Sequence, residues 1–173
     1  MKNQNKYTIH FAGLADKIHL LEFEIDATFF SQFESSPINE SDVYVHLTFD
    51  KRPAMFVLDF NIDGQVTGEC DRCLNQIFIP VSGNYKMLVK FNDELANAPQ
   101  ADPDLIYLAT HERSLNIQQL IYEYIVLSVP IKKTCEDSLI GNTECNKAML
   151  EVIKLKKEVK DIDPRWEKLK KLK

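Results

Sequence analysis

The amino-terminal half of the chain is dominated by short stretches in which apolar and polar residues alternate. The clearest is Val43–Phe49, where every second residue is apolar. Such alternation places all the apolar side chains on one face of a β-strand. Residues 7–11 and 54–59 are also rich in the aromatic and β-branched residues that strands favour. We predict a strand in each of these segments.

Turn signals divide this half of the chain. Lys51-Arg52-Pro53 ends the first long run, and Asp63-Gly64 has the composition of a tight hairpin turn. Connections this short favour antiparallel pairing of the segments they join. Three more extended segments are predicted to follow as consecutive strands of a meander: 65–70, 76–81 and 85–91.

Helical spacing replaces alternation farther along. From Asn116, whose side chain can cap free backbone amides, apolar residues recur every three or four positions as far as Pro130. The predicted buried face of this core helix consists of Ile117, Leu120, Ile121, Tyr124 and Leu127. The preceding segment 92–104 is polar and acidic and contains two prolines, so we expect a mobile loop there.

The carboxyl-terminal end predicts two further helices. Residues 147–160 form a more exposed helix whose narrow apolar side is Met149, Val152, Ile153 and Val159. The last residues form a short docking helix: Asp163 caps it, Pro164 begins it, and Trp166, Leu169 and Leu172 share one face. A helix this short needs a surface to pack on, either the body of this molecule or a partner's groove.

These segments predict an α+β fold, with a mainly antiparallel β-sheet, one core helix and a C-terminal helical tail. The 173 residues, 45% of them hydrophobic, suffice for one core. We expect a single α+β domain over 1–145, followed by a basic helical tail over 146–173. No apolar stretch approaches a membrane span, and the first residues lack the order of a signal peptide. We therefore expect a cytoplasmic protein with no membrane partner.

Charge is distributed unevenly along the chain. Residues 1–130 contain 9 Lys+Arg against 18 Asp+Glu, whereas residues 131–173 contain 12 against 8. An acidic body lacks the positive field that attracts nucleic acid, so direct RNA contact is expected in the tail. The candidate lysines are Lys154, Lys156, Lys157, Lys160, Lys170 and Lys171. The alternative is a solvated helix face, because acidic residues interrupt the run.

The four cysteines are the most informative residue type in the sequence. Cys70-Asp71-Arg72-Cys73 lies between two predicted strands, and a C-x₂-C pair at a hairpin tip can direct both thiolates at one tetrahedral zinc ion. Cys135 and Cys145 are the candidates for the other two ligands, although the nine residues between them exceed the usual spacing. We predict a closed, structural zinc site with no catalytic position.

Two other interpretations of the cysteines remain open. Some or all could be reduced thiols buried as small hydrophobic residues. A redox pair is the least favoured, because an extended segment follows Cys73 instead of the helix that would lower a thiol pKa.

Two side chains outside the cysteines are candidates for binding a partner. Arg72 could stabilise thiolates or contact a phosphate, or it could simply pair with Glu69 or Asp71. Trp166, together with Leu169, is the candidate anchor for a partner groove, unless the terminal helix docks on its own domain.

The segment Gly68-Glu69-Cys70-Asp71-Arg72-Cys73-Leu74 resembles the C-x-R-C-L signature of the YceD-like proteins. Similar features follow in the family's order: an acidic loop, an apolar helix ending at Val129-Pro130-Ile131-Lys132, and cysteine-bearing loops. The ending Asp163-Pro164-Arg165-Trp166 is also similar to some members. The resemblance covers most of residues 40–173.

The resemblance implies a small bacterial or plastid protein needed for accumulation of the large-subunit ribosomal RNA, without catalytic activity. We therefore expect a non-enzymatic accessory factor in ribosome biogenesis. Its partner would be a ribosomal RNA precursor or a ribosomal protein, and it would have no small-molecule substrate. The alternative is a zinc-stapled structural adaptor unrelated to ribosomes. An enzyme is the least favoured of the three interpretations. The histidines are scattered without a catalytic pattern, and the sequence contains no phosphate-binding loop motif.

Overall fold

The computed structural model describes residues 6–34, 36–96, 98, 102–138 and 144–158, with side chains as far as Leu155. Five strands form one sheet in the order β2 (Ile18–Ile25), β3 (Ser41–Lys51), β4 (Met55–Glu69), β5 (Gln76–Phe91) and β6 (Leu105–Leu108). The first four are antiparallel, and β6 runs parallel to β5. The short strands β1 (Thr8–Ile9) and β7 (Leu115–Asn116) form a separate pair. The helices are α1 (Ala27–Phe30), α2 (Gln118–Ser128) and α3 (Lys147–Glu158). The predicted α+β class is confirmed.

The hairpin turn predicted at Asp63-Gly64 is wrong, because β4 continues through both residues. Gly64 lies opposite Val43 of β3 with φ +152°. A Cβ atom there would lie 2.3 Å from the carbonyl oxygen of Asp42. Glycine therefore allows the two backbones to approach closely within the sheet instead of reversing the chain.

The predicted meander of short strands is likewise wrong. Segments 55–60 and 65–70 belong almost entirely to the single strand β4, and segments 76–81 and 85–91 both belong to β5. The two strands pair from Met55↔Lys90 to Glu69↔Gln76. The result is one long hairpin whose tip contains the first two cysteines.

The alternation of β3 is confirmed. Val43, Val45, Leu47 and Phe49 are at most 1% exposed and face the core. Helix α2 covers the same side of the sheet, where the Tyr124 ring stacks on Tyr85 with centroids 4.5 Å apart. The described helices thus contribute to a core on one side of the sheet.

The core helix begins at Gln118, two residues after the predicted start at Asn116, although Oδ1 of Asn116 accepts a hydrogen bond from the Gln118 N–H at 2.8 Å. The expectation that Leu127 belongs to the buried face is wrong, because its side chain is 68% exposed. The buried stripe instead includes Ile125, which is 0% exposed, and continues to Ser128, whose hydroxyl contacts the Tyr85 hydroxyl at 3.0 Å. The helix ends before Pro130.

The sequence pattern did not indicate β2 or α1. In β2 the apolar residues change faces, because Ile18 and Leu20 are exposed whereas Phe23 and Ile25 are buried. Helix α1 has only four residues and is capped by Asp26. Neither element has a long enough periodic pattern to be recognised without its tertiary neighbours.

Several predictions concern parts of the chain that are only partly described. In α3, Met149 and Ile153 are half-buried, and Val152 is 49% exposed. Mobility of 92–104 and the division into domains at 145/146 stay predictions. Val159 and the docking helix lie outside the described residues. Within the described ranges, no helix has the length and apolar character needed to cross a membrane.

Candidate metal centre

The first two cysteines lie at the tip of the β4–β5 hairpin. The Cys70 N–H donates to the Asn75 carbonyl at 2.9 Å, and the Leu74 N–H donates to the Cys70 carbonyl at 2.9 Å. Leu74 has φ +61°, a left-handed conformation that is uncommon for a residue with a branched side chain. This tight turn brings Cys70 and Cys73 to one side of the hairpin tip.

The third cysteine is positioned by a short segment after α2. Cys135 begins a 3-10 turn in which Oδ2 of Asp137 accepts hydrogen bonds from the Thr134 N–H at 3.1 Å and hydroxyl at 2.5 Å. These bonds favour the ionised carboxylate. The Thr134 hydroxyl lowers the pKa of Asp137 most, and the Thr134 N–H lowers it further, which together outweigh the effect of burial. The reciprocal cap fixes the backbone on both sides of Cys135.

Two hydrogen bonds tie this segment to the hairpin tip. The Asp71 N–H donates to the Lys133 carbonyl at 2.8 Å, and the Lys133 N–H donates to Oδ2 of Asp71 at 2.7 Å. The fourth cysteine, Cys145, comes just before α3, where Oδ1 of Asn146 accepts from the Ala148 N–H at 3.1 Å. Residues far apart in the sequence therefore converge on the hairpin tip.

All four sulfur atoms lie within 4.8 Å of one another. The Sγ atoms of Cys70 and Cys145 are 3.8 Å apart, and those of Cys73 and Cys135 are 3.5 Å apart. Four thiolates around zinc at about 2.3 Å require sulfur–sulfur separations of about 3.8 Å. The folded chain thus brings four soft ligands to separations close to those of a zinc–thiolate shell, despite the long spacing between Cys135 and Cys145.

Burial of the cluster separates it from solvent. Cys70, Cys73 and Cys135 are 0%, 3% and 0% exposed, and Cys145 is half-buried. All four are free thiols. The motif is followed by β5 and not by a helix, so no helix N-terminus lies directly after Cys73 to stabilise a redox thiolate.

The thiols differ in acidity. Burial raises the pKa of Cys70, but hydrogen bonds from the Arg72 and Cys73 backbone N–H groups outweigh it and lower the pKa to about 6. Burial raises the pKa of Cys135, and contacts with the neighbouring sulfur atoms raise it further. Burial also raises the pKa of Cys145. Several buried thiolates would repel one another, and a divalent cation at their centre would compensate that repulsion.

Arg72 pairs with neither Glu69 nor Asp71. Its Nη1 donates to Oε1 of Glu136 at 2.8 Å, and that hydrogen bond raises the pKa of Arg72. The ion pair joins the hairpin tip to the turn that contains Cys135, so Arg72 reinforces the same junction as Asp71. The guanidinium remains partly accessible, because the side chain is 41% exposed.

The predicted lysines are placed unequally. Lys154 is exposed on α3, and Lys156 and Lys157 belong to α3 with side chains beyond those described. Outside the described residues lie Lys160, Trp166, Leu169, Lys170 and Lys171. The structure therefore joins the four predicted cysteines and Arg72 in one site, but it does not place the tail residues beside it.

Sequence reasoning missed the residues that support the cysteines. Asp71 is predicted from the sequence only as an ion-pair partner of Arg72, and no role is predicted for Thr134 or Asp137. A signal was present in Thr134-Cys135-Glu136-Asp137, which has the spacing of a reciprocal cap. The bond between Asp71 and Lys133 has no local signal, because it depends on tertiary packing.

The fold and the site define an α+β protein in which a long β-hairpin and a carboxyl-terminal segment meet at a buried cluster of four thiols. The chain belongs to the family described as large ribosomal RNA subunit accumulation protein YceD, whose model matches residues 58–173. That range begins within β4 and includes all four cysteines. No curated protein and no solved structure matches the chain.

Proposed function

We propose that this chain is a non-enzymatic, cytoplasmic accessory factor in ribosome biogenesis that promotes accumulation of the large-subunit ribosomal RNA. The observation that carries the proposal is the family match over residues 58–173, whose description names that process. The factor would act by binding an RNA precursor or a ribosomal protein. Arg72 and the tail residues named above are the proposed contacts, with Trp166 and Leu169 as an apolar anchor.

The four cysteines are proposed to bind one structural Zn²⁺. Their mutual distances, all within 4.8 Å, support this assignment, as does the preference of zinc for thiolates. Four protein ligands complete the tetrahedral shell, so no position would remain for a reactive water. The ion would stabilise the junction between the β4–β5 hairpin and the segment from Lys133 to Cys145.

Gene deletion tests the function. Cells that lack the gene are expected to contain less large-subunit ribosomal RNA relative to small-subunit RNA, and a plasmid copy should restore the ratio. In a sucrose gradient, the tagged protein should sediment with large-subunit precursors. A pull-down of the tagged protein should recover these precursors, whereas a mock pull-down from untagged cells should recover none. An unchanged RNA ratio in the deletion strain would refute the proposal.

Crosslinking in living cells would identify the direct partner. Recovery of ribosomal RNA fragments would identify RNA as the partner, whereas recovery of a ribosomal protein would identify a protein. If the protein binds no assembly intermediate, that result would support the alternative, a zinc-stapled adaptor unrelated to ribosomes. A catalytic activity of the purified protein that is lost in the Cys70→Ser variant would support the third interpretation, that the protein is an enzyme.

A further inference from the structure

The sheet has an open outer face, opposite the side covered by α2. Outward residues of β2 and β3 remain accessible there, including Leu20, which is 76% exposed, and Tyr44, which is 46% exposed. A partly aromatic, accessible sheet face suits contact with another molecule. The question is which chemistry it would recognise.

Strand register places carboxylates around Tyr44. Glu24 of β2 and Asp63 of β4 lie directly beside Tyr44 on its two neighbouring strands. Glu22 of β2 lies diagonally opposite Tyr44, and Asp42 precedes Tyr44 by two residues on β3, so both are on the same face. Side chains paired across strands have Cβ atoms about 5 Å apart, close enough to act on one bound group. We name these five residues the outer-face patch.

Within the described ranges, no lysine or arginine forms an ion pair with a carboxylate of the patch. Elsewhere on this face Asp59 pairs with Lys86 at 3.2 Å, and Asp50 pairs with Arg52 at 2.6 Å. By contrast, among the described residues neither Glu24, Asp42 nor Asp63 forms an ion pair. Lys6 approaches Glu24 but donates to its backbone carbonyl at 3.2 Å. Glu22 has only His46, with Nδ1 3.5 Å from Oε1, and histidine is charged only when protonated.

Two shallow cavities adjoin the patch. One of about 350 Å³ is lined by Tyr44 together with both glutamates, His46 and Lys6, whereas one of about 160 Å³ is lined by Asp42 and Glu40 but not by Tyr44. A guanidinium or ammonium group in either would meet carboxylate oxygens, and one over the Tyr44 ring would gain a cation–π contact. Phosphate groups would be repelled by the same carboxylates.

We infer that the outer-face patch binds a lysine- and arginine-rich segment of a partner protein, with Tyr44 as the stacking surface. Only the identity of the partner as a ribosomal protein rests on the proposed function. The inference assigns protein recognition to the outer-face patch, so any RNA contact would involve other surfaces. The occupant is a protein and not an RNA because of the charge complementarity.

The test measures binding of a fluorescent peptide of alternating lysine, arginine and glycine to the full chain by anisotropy. The triple variant Glu24→Gln, Asp42→Asn, Asp63→Asn is expected to bind about tenfold more weakly, because three exposed ion pairs are lost. Tyr44→Ala should weaken binding by about threefold through the lost cation–π contact. Circular dichroism would check that each variant folds.

The matched control neutralises three exposed carboxylates elsewhere, in Glu34→Gln, Glu94→Gln, Glu123→Gln. It has the same net charge as the patch variant, so affinity close to wild type supports a local site. Equal loss in both triple variants would overturn the inference, since binding would then depend only on overall charge. Preferential binding of a ribosomal RNA oligonucleotide at the patch, or self-association that the patch variant abolishes, would also overturn it.

The cellular readout separates the two proposals. If the peptide maps to the patch but gene deletion leaves ribosomal RNA unchanged, the proposed function fails and the docking site stands. If deletion lowers ribosomal RNA but the patch variant binds the peptide as wild type does, the docking site fails and the proposed function stands.

Discussion

At the scale of single residues, Gly64 and Leu74 adopt backbone conformations that side chains disfavour, for different reasons. Gly64 lies within a paired strand where the neighbouring backbone leaves no room for a Cβ atom. Leu74 lies at an accessible hairpin tip, where its side chain is 61% exposed. Close approach of β3 makes glycine necessary at the first position, whereas the cysteine turn imposes the conformation of the second.

Gly64→Ala is expected to destabilise the protein by at least about 2 kcal/mol. The new methyl group would lie 2.3 Å from the Asp42 carbonyl oxygen, so β3 and β4 would have to separate locally. Urea denaturation would measure the change. Gly13→Ala is the matched control, because nothing lies within 4 Å of a Cβ atom there. Equal stability of the two variants would contradict the register of β3 and β4.

Cys73→Ser is expected to reduce bound zinc to well below one equivalent per chain, since a hydroxyl is a poor substitute for a thiolate. Elemental analysis of protein purified without chelator would measure the content. Glu69→Gln is the control, because its exposed side chain is close in sequence to the cluster but contributes no sulfur. Wild-type protein without zinc would eliminate the metal assignment.

At the scale of elements, the sequence predicts periodic segments best. The alternation in β3 follows from residues that are each buried, and the spacing in α2 does so except at Leu127, so the local pattern and the tertiary structure largely agree. The lengths of β4 and β5 could not be predicted, because Asp63-Gly64 has turn composition and only its pairing with Val43 and neighbouring residues shows that the strand continues. Local signals cannot reveal such pairing.

The same distinction applies to the candidate site. The C-x₂-C pair was recognisable from spacing, because both ligands belong to one turn. Cys135 and Cys145 were named as partners, but their convergence depends on the placement of α2 and of the segment after it. The contacts of Asp71 and Arg72 with that segment depend on the same tertiary packing.

Helix α1 gives a prediction about pH. Oδ1 of Asp26 accepts from the Thr28 hydroxyl at 2.6 Å and from the Thr28 N–H at 3.0 Å, and the hydroxyl contributes most to lowering the Asp26 pKa. A lowered folded-state pKa means that the stabilisation is present above the unfolded value of 3.8 and is lost as the pH falls through the folded value. At neutral pH, Asp26→Ala should cost about 1 kcal/mol.

The control for this prediction is Asp26→Asn, which keeps a capping oxygen but cannot titrate. Its stability should fall less than that of the wild type when the pH is lowered from 5 toward 3, a window of about two pH units around the unfolded pKa. Fluorescence-detected urea titrations at several pH values would compare them. Identical pH responses would show that the carboxylate of Asp26 does not contribute.

At the scale of the whole molecule, the cysteine cluster joins the long hairpin to the carboxyl-terminal part of the described chain. Chelation by a strong zinc ligand is therefore expected to lower the melting temperature by several degrees, since binding to the folded state stabilises it. Hydrogen exchange should increase around Lys133 and Cys135 before it increases in the β3–β4 pair. Full retention of the melting temperature in chelator would exclude a structural ion.

The separation of the cysteines along the chain also bears on how the molecule is made. Cys70 and Cys145 are 75 positions apart, and Cys73 and Cys135 are 62 apart. At translation rates of about 5–20 residues per second, the first thiol pair emerges from the ribosome about 4–15 s before the last cysteine does. During that interval the thiols of Cys70 and Cys73 lack the complete set of partner cysteines. They can then be oxidised prematurely or can bind a metal ion only weakly. The cell's reducing capacity therefore matters most to this protein while it is still being synthesised.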